Sequence, residues 1–184
     1  IGVRFGADLN AQTGFDETIY ILPVPTDSAG ILRKSFQFLG DVAAGVRFDS
    51  ADVIGERGVV LAEWRTGLGA GERIRAQQFP VVFRGSRYAT RLPIGVPQVI
   101  SAATPEPLRR FWRDWYRPDL MAVVAVGDMD PDSLVAHINR TFAPIPRRAV
   151  RRQRANAAVP RHDSTLVSIA TDAELTSSNV SVLW

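Results

Sequence analysis

The feature that most constrains the fold is a short apolar run between two helix-start signals. The sequence Thr-Pro-Glu at 104–106 supplies an N-cap, a first-turn proline and an acid in the order that begins a helix. This helix must end before Pro118, because the residue that precedes a proline avoids helical geometry. Residues 121–126 are then continuously apolar, as in a strand buried on both faces, and Asp130 with Pro131 begins another helix. A chain of this kind packs a sheet against helices.

The rest of the chain extends this pattern. Apolar spacing and turn residues predict strands over 7–13, 17–25, 121–126, 164–171 and 177–184. The first two are close enough for a hairpin that turns at 14–16. Cap residues and three- and four-residue apolar spacing predict helices over about 29–46, 50–64, 104–117 and 130–142. A further helical turn or two is expected over 72–79, and 80–97 is expected to be a long surface connection. The predicted fold class is therefore α+β, with two layers in which a mostly antiparallel sheet packs against helices.

Composition excludes several classes of protein and site. Hydrophobic residues make up 46% and charged residues 22% of the 184 residues, as in soluble globular proteins. No apolar run approaches the roughly 18 residues needed to span a bilayer. The absence of cysteine rules out disulfides, thiolate zinc sites and cysteine nucleophiles. Of the two histidines, His137 is expected to be a packed or boundary residue and His162 a solvated loop residue.

The positive charge is concentrated in one segment. Six arginines lie between 147 and 161, and removing them changes the formal net charge from +3 to −3. They are Arg147, Arg148, Arg151, Arg152, Arg154 and Arg161. Clustered cations favour nucleic-acid phosphates, whereas flanking prolines and the lack of an aromatic residue favour a solvated connector. We prefer the connector, and predict a core over 1–146, an Arg/Pro-rich connector over 147–161 and a strand-rich segment over 162–184.

Two glutamates on the second predicted helix form the most suggestive local pattern. Glu56 and Glu63 are seven residues apart, so a helix places them on nearly the same face, two turns apart. Val60 lies between them on the same flank, which predicts partly desolvated carboxylates suited to a metal site or to an acid with a raised pKa. The alternative is that both are ordinary boundary residues of an amphipathic helix.

Five sequence motifs, in order, identify a family resemblance. They are FGADLNAQT at 5–13, ERGVVLAEWR at 56–65, RLPIG at 91–95, WYRPDLM at 115–121 and VGD at 126–128. Together they resemble the pitrilysin/insulinase family of inverted-motif zinc metallopeptidases. Within that family, their residues are most similar to those of large bacterial periplasmic-type zinc proteases. The resemblance implies the fold of a metallopeptidase N-terminal catalytic half, truncated at its N-terminus.

The resemblance also implies roles for particular residues. Glu63 matches the third zinc ligand, and Glu56 matches an outer acid that supports the metal site. Leu9, Asn10 and Ala11 match an exposed edge strand along which an extended peptide substrate lies by main-chain pairing.

One family motif does not occur in the 184 residues. The family's H-x-x-E-H sequence, which supplies two histidine ligands and the general base, is expected upstream of Asn10. The chain on its own is therefore expected to be inactive and not to retain zinc, because a single carboxylate does not hold the ion. Its expected partners are the upstream segment, the C-terminal half of the same polypeptide and an extended peptide substrate.

Three functions are compatible with the sequence. The first is a segment of a zinc metalloendopeptidase that hydrolyses extended peptides or unfolded proteins by means of a metal-activated water. The second is a non-catalytic structural or partner-binding subunit of the same fold, and the third, ranked low, is nucleic-acid binding through Arg147–Arg161. The resemblance alone implies a periplasmic location, and a truncated sheet would allow self-association through its exposed edge.

Overall fold

A computed structural model describes residues 10–147 and 152–184, which form two units. Unit 1 is made of residues up to Val53 together with 103–154, and unit 2 of residues 54–102 and 155–184. Leu9 and arginines 148 and 151 lie outside the described residues. The division into 1–146, 147–161 and 162–184 stays a prediction.

Unit 1 contains a two-stranded antiparallel hairpin. Strand β1 covers Asn10–Thr13 and β2 covers Thr18–Ile21, in a register that pairs Ala11 with Tyr20. The predicted turn at Gly14 is confirmed, and the Gly14 N–H donates to the Glu17 carbonyl at 2.8 Å.

Helices make up most of the ordered structure. The helices of the described residues are α1 Ala29–Ala44, α2 Ser50–Thr66, α3 Ala70–Val82, α4 Pro97–Ser101, α5 Pro105–Trp115 and α6 Pro131–Phe142, with 3₁₀ turns at Arg87–Thr90 and Pro118–Leu120. The four predicted helix starts are confirmed. Two of them are capped as expected: Ser28 accepts from the Ile31 N–H at 3.4 Å, and Asp130 accepts from the Ser133 N–H at 2.8 Å. The connection expected over 80–97 instead contains the end of α3 and a 3₁₀ turn.

The core of unit 1 lies where α1 meets α6. Leu32, Phe36 and Ala43 are its buried apolar residues. The Phe36 ring stacks on His137 with 5.3 Å between centroids, which confirms His137 as a packed residue. The two helices approach closely at Gly40, where a Cβ would lie 2.7 Å from the Thr141 methyl group.

Helix α5 fixes the path of the chain into α2. Its Trp112 indole donates to the Val42 carbonyl at 3.1 Å, and its Arg109 donates to the carbonyls of Arg47 and Phe48 at 3.2 Å and 3.4 Å. Phe48 has a positive φ of 57°, which is uncommon for a residue with a side chain. Its ring also contacts Trp112 edge to face. These contacts hold the strained residue that precedes α2 by two positions.

Unit 2 is organised by hydrogen bonds from α3 and the loop that follows it. Arg73 on α3 binds Asp172, and the Ser86 hydroxyl donates to the Ala157 carbonyl at 2.6 Å. Gly85 has a positive φ of 79°, and a Cβ there would lie 3.0 Å from the Pro160 ring. The C-terminal segment is thereby attached to the α3 region.

The predicted sheet is smaller than expected. Among residues 10–147 and 152–184, β1 and β2 form the one hydrogen-bonded sheet, so the strands predicted at 121–126, 164–171 and 177–184 are corrected to unpaired segments. Burial alternates along 121–126, and Val124 and Val126 are 83% and 93% exposed, so this run is not buried on both faces. The reason is physical: apolar alternation favours an extended chain, but a strand forms only where another supplies hydrogen-bond partners. The described fold is therefore mostly helical, and α+β holds only in that loose sense.

No helix in the described part of the chain is both long enough and apolar enough to cross a membrane.

Candidate functional site

The β1 strand presents main-chain groups along a free edge. Within the described residues β1 pairs with β2 alone, and Ala11, Gln12 and Thr13 are exposed. Hydrogen-bonded and non-bonded pairs alternate along an antiparallel ladder. Because Gly14 bonds to Glu17, the pair Ala11–Tyr20 is of the non-bonded kind. The N–H and C=O of Ala11, and likewise those of Thr13, therefore point away from β2, towards an edge that no other described strand covers.

The hairpin is tied to the end of α5 by two tyrosines. The hydroxyls of Tyr20 and Tyr116 are 2.6 Å apart, and their rings meet edge to face with centroids 6.4 Å apart. Burial and this hydrogen bond raise the pKa of Tyr20 well above its ordinary value, so the hydroxyl stays protonated at neutral pH. The free edge of β1 thus belongs to a hairpin anchored on one face.

Glu56 and Glu63 lie on one face of α2, as their spacing predicts. A separation of seven residues at 1.5 Å rise puts them about 10 Å apart along the axis. Two turns of α2 thus separate the two glutamates. Glu63 lies in the last turn of α2, where its carbonyl accepts from the Thr66 hydroxyl and the Gly67 N–H, each at 2.9 Å.

The carboxylates of Glu56 and Glu63 are more exposed than the position of Val60 between them predicted. Both glutamates are exposed, Val60 between them is half-buried, and α2 has no buried residue. The expected partial desolvation is therefore wrong for this structure. Helical periodicity gives the direction of a side chain, but the elements packed against the helix decide whether it is covered.

The described residues do not make up a zinc site. No group of three or more histidine, aspartate or glutamate side chains among them is placed to hold a metal ion. His137 stacks on Phe36 in unit 1, and exposed His162 contacts the Ser164 carbonyl through Nδ1 at 2.6 Å in unit 2. Structural and catalytic zinc sites use at least three protein ligands. We therefore assign no catalytic step to a metal on this chain.

Two arginines of the 147–161 cluster are engaged within unit 1. Arg152 lies over the Trp115 ring at 5.4 Å and pairs with Asp114 at 3.3 Å, and Arg154 pairs with Asp16. These contacts occupy charge that a phosphate-binding patch would need. They favour the connector interpretation for the described part of the cluster.

Family comparison assigns the chain to a class of protein. Residues 102–184 match the family model of the peptidase M16 inactive domain. The chain belongs to the pitrilysin-type M16 peptidase family, as its five motifs suggested. Glu56 and Glu63 lie outside the matched segment.

Within that family, its relatives include PqqL-like zinc proteases. The chain is 33% identical over 185 residues to the zinc protease PQQL-like of Arabidopsis thaliana, covering all of this chain and 19% of that protein. The chain therefore spans about a fifth of the length of this curated relative.

Solved structures agree with this placement. The first half of the periplasmic protease PqqL from Escherichia coli matches with a TM-score of 0.81 and 31% identity, over 86% of this chain and 34% of that one. The ferredoxin protease FusC, solved with Arabidopsis ferredoxin, matches with a TM-score of 0.74 and 30% identity, over 81% of this chain and 16% of that one.

Sequence reasoning did not find Thr13 or the pair Tyr20–Tyr116. Thr13 joins the free edge through the register, which a turn bond at Gly14 fixes. The tyrosines are 96 residues apart, so no local period connects them. Alternation along 17–25 could have indicated that Tyr20 shares a face with Ala11, but not what that face contacts.

Proposed function

We propose that this chain is part of a zinc-dependent metalloendopeptidase that cleaves extended peptides or unfolded proteins. Similarity to zinc proteases along the full chain, which includes both glutamates of α2, is the observation that carries the proposal. In the proposal the H-x-x-E-H motif lies in the same polypeptide, outside the 184 residues, and supplies two histidines and the general base. Glu63 is the third ligand and Glu56 the outer acid.

The β1 edge is the proposed substrate surface. An extended peptide that pairs with β1 would bond to the outward main-chain groups of Ala11 and Thr13, which demand no particular sequence of the peptide. Leu9 and Asn10 are proposed to continue this surface. The relative FusC was solved with a protein bound, ferredoxin, which supports a polypeptide substrate here. The relative PqqL of Escherichia coli is a periplasmic protease, which supports a periplasmic location for the whole protein.

A non-catalytic partner-binding subunit is the second candidate. Its support is the match of residues 102–184 to a domain described as inactive. The match does not reach α2, so it leaves the role of Glu63 open to test.

Peptidase activity with a backbone-blocked substrate tests the proposal. The intact polypeptide that contains this segment is assayed with a fluorogenic extended peptide and with the same peptide N-methylated at alternate residues. N-methylation removes donors from one edge, so we expect kcat/KM to fall at least 10-fold if main-chain pairing holds the substrate. Glu63→Gln should abolish cleavage of both peptides, and Glu106→Gln, on exposed α5 surface, is the matched control. Full activity in Glu63→Gln would exclude its role as a ligand.

A further inference from the structure

A two-stranded hairpin needs an anchor if its edge is to receive a ligand. Isolated hairpins are marginally stable in water. All four residues of β2 are exposed, and Ile19 and Ile21 are 38% and 46% exposed, so apolar burial contributes little to holding this hairpin. At its tip, Asp16 pairs with Arg154, but both side chains are about half exposed, and such pairs contribute about 0–1 kcal/mol.

The pair Tyr20–Tyr116 is placed to be that anchor. Tyr20 is directly opposite Ala11, so the two side chains share a face of the hairpin. The hydrogen bond between the tyrosine hydroxyls therefore holds the hairpin on the face that carries the Ala11 side chain. Ala11 is also the residue whose main-chain groups point to the free edge.

Tyr116 is itself held by its neighbours. Its N–H donates to the Trp112 carbonyl at 2.8 Å, and its ring stacks on the Trp112 ring with centroids 6.2 Å apart. Trp112 in turn bonds to the Val42 carbonyl of α1 and contacts Phe48. A continuous set of contacts thus runs from the α1 region of unit 1 to the centre of the hairpin.

We propose that Tyr116 is a positioning residue that acts through Tyr20 to hold the β1 edge in the orientation that accepts an extended peptide. The inference rests on the proposed function, because it assumes that β1 is the substrate surface. In this role Tyr116 acts through Tyr20 and not by contact with the peptide or a reacting atom. Its loss is therefore expected to weaken peptide binding and to leave the chemical step unchanged.

The test compares Tyr116→Phe, Tyr20→Phe and the double variant, with Tyr88→Phe in unit 2 as the matched control. The first measurement is amide hydrogen exchange of Gln12, which the ladder pairs with Ile19, in the 184-residue chain. Losing one hydrogen bond of about 1 kcal/mol should raise this exchange about 5-fold. The double variant should resemble either single variant, since all three lack the same bond, and Tyr88→Phe should exchange like the unaltered chain.

The second measurement separates binding from chemistry in the intact polypeptide. For the fluorogenic extended peptide, KM should rise by up to about 5-fold in the three tyrosine variants while kcat stays the same, because only the closed fraction of the hairpin binds the peptide. Gln12 exchange that is equal in all variants overturns the proposal, as does faster exchange with an unchanged KM. Failure of the proposed function is a separate outcome. In that case the unaltered enzyme cleaves the N-methylated peptide and the unmethylated peptide with the same kcat/KM.

Discussion

Arg73 binds both carboxylate oxygens of Asp172, with Nε at 2.6 Å and Nη2 at 2.7 Å. The same guanidinium donates to Glu174 and to the Leu68 carbonyl, each at 2.7 Å. A planar guanidinium matches a carboxylate in this two-bond geometry, and charge-assisted bonds of this kind are about twice as strong as neutral ones. The pair joins residues 99 apart in sequence and fixes the C-terminal segment of unit 2 on α3.

The Arg73–Asp172 pair predicts loss of stability in acid. Bonds from Arg73 lower the pKa of Asp172 from 3.8 to about 2. Because the folded pKa lies below the unfolded one, the stabilisation is complete above pH of about 4 and is lost as the pH falls towards 2. Urea unfolding of the chain between pH 5 and 2 should show this decline.

Asp172→Asn is the variant that checks the source of the decline. It should be less stable than the unaltered chain at pH 6, and the difference should shrink as the pH falls towards 2, because Asp172 of the unaltered chain then becomes protonated. Asp163→Asn, a loop residue, serves as the control. Equal acid sensitivity in Asp172→Asn and the unaltered chain would show that this carboxylate does not carry the effect.

Alanine substitutions at Gly40 and Gly55 are expected to change the stability of the chain in opposite directions. A Cβ at Gly40 would lie 2.7 Å from the Thr141 methyl group, so Gly40→Ala should separate α1 from α6 and destabilise by about 1–3 kcal/mol. A Cβ at Gly55 meets nothing within 4 Å, so Gly55→Ala should stabilise α2 by about 0.5–1 kcal/mol. Thermal unfolding measures both, and Thr141→Ala should rescue Gly40→Ala. Equal effects of the two alanines would contradict the close approach of the helices.

Removing Asp119 or Arg117 from their ion pair is expected to cost different amounts of stability. The Arg117 side chain is 6% exposed, Asp119 lies 3.4 Å from Nε, and within the described residues neither Nε nor Nη1 has a hydrogen-bond partner. Asp119→Asn leaves a buried charge uncompensated and should cost about 3 kcal/mol. Arg117→Met removes the charge and should cost less, and in that background Asp119→Asn should cost little. Chemical denaturation of the unaltered chain, the two single variants and the double variant gives the coupling free energy between Arg117 and Asp119. A coupling free energy of zero would mean that the pair does not stabilise the fold.

Local signals in the sequence predicted most of the helices. Ser28 and Asp130 cap α1 and α6 as expected, because capping depends on residues three positions apart. The hairpin was predicted for the same reason, since Gly14 and the alternation around it are local features.

Contacts between distant segments could not be predicted in this way. Valines at 124 and 126 favour an extended chain, but their sequence does not say whether a neighbouring strand or covering layer is present. Spacing placed Glu56 and Glu63 on one face, yet their exposure depends on what packs against α2. The tie between Tyr20 and Tyr116 depends on tertiary structure alone.

Zinc content of the intact polypeptide tests the central claim most directly. We compare the unaltered protein with Glu63→Gln, Glu56→Gln and the control Glu106→Gln by elemental analysis after dialysis against graded chelator. The unaltered protein and the control should retain about one zinc per catalytic half. Glu56→Gln should bind zinc about 10–100-fold more weakly, and Glu63→Gln more weakly still. Zinc retention by Glu63→Gln equal to that of the unaltered protein would contradict the assignment of Glu63 as a ligand.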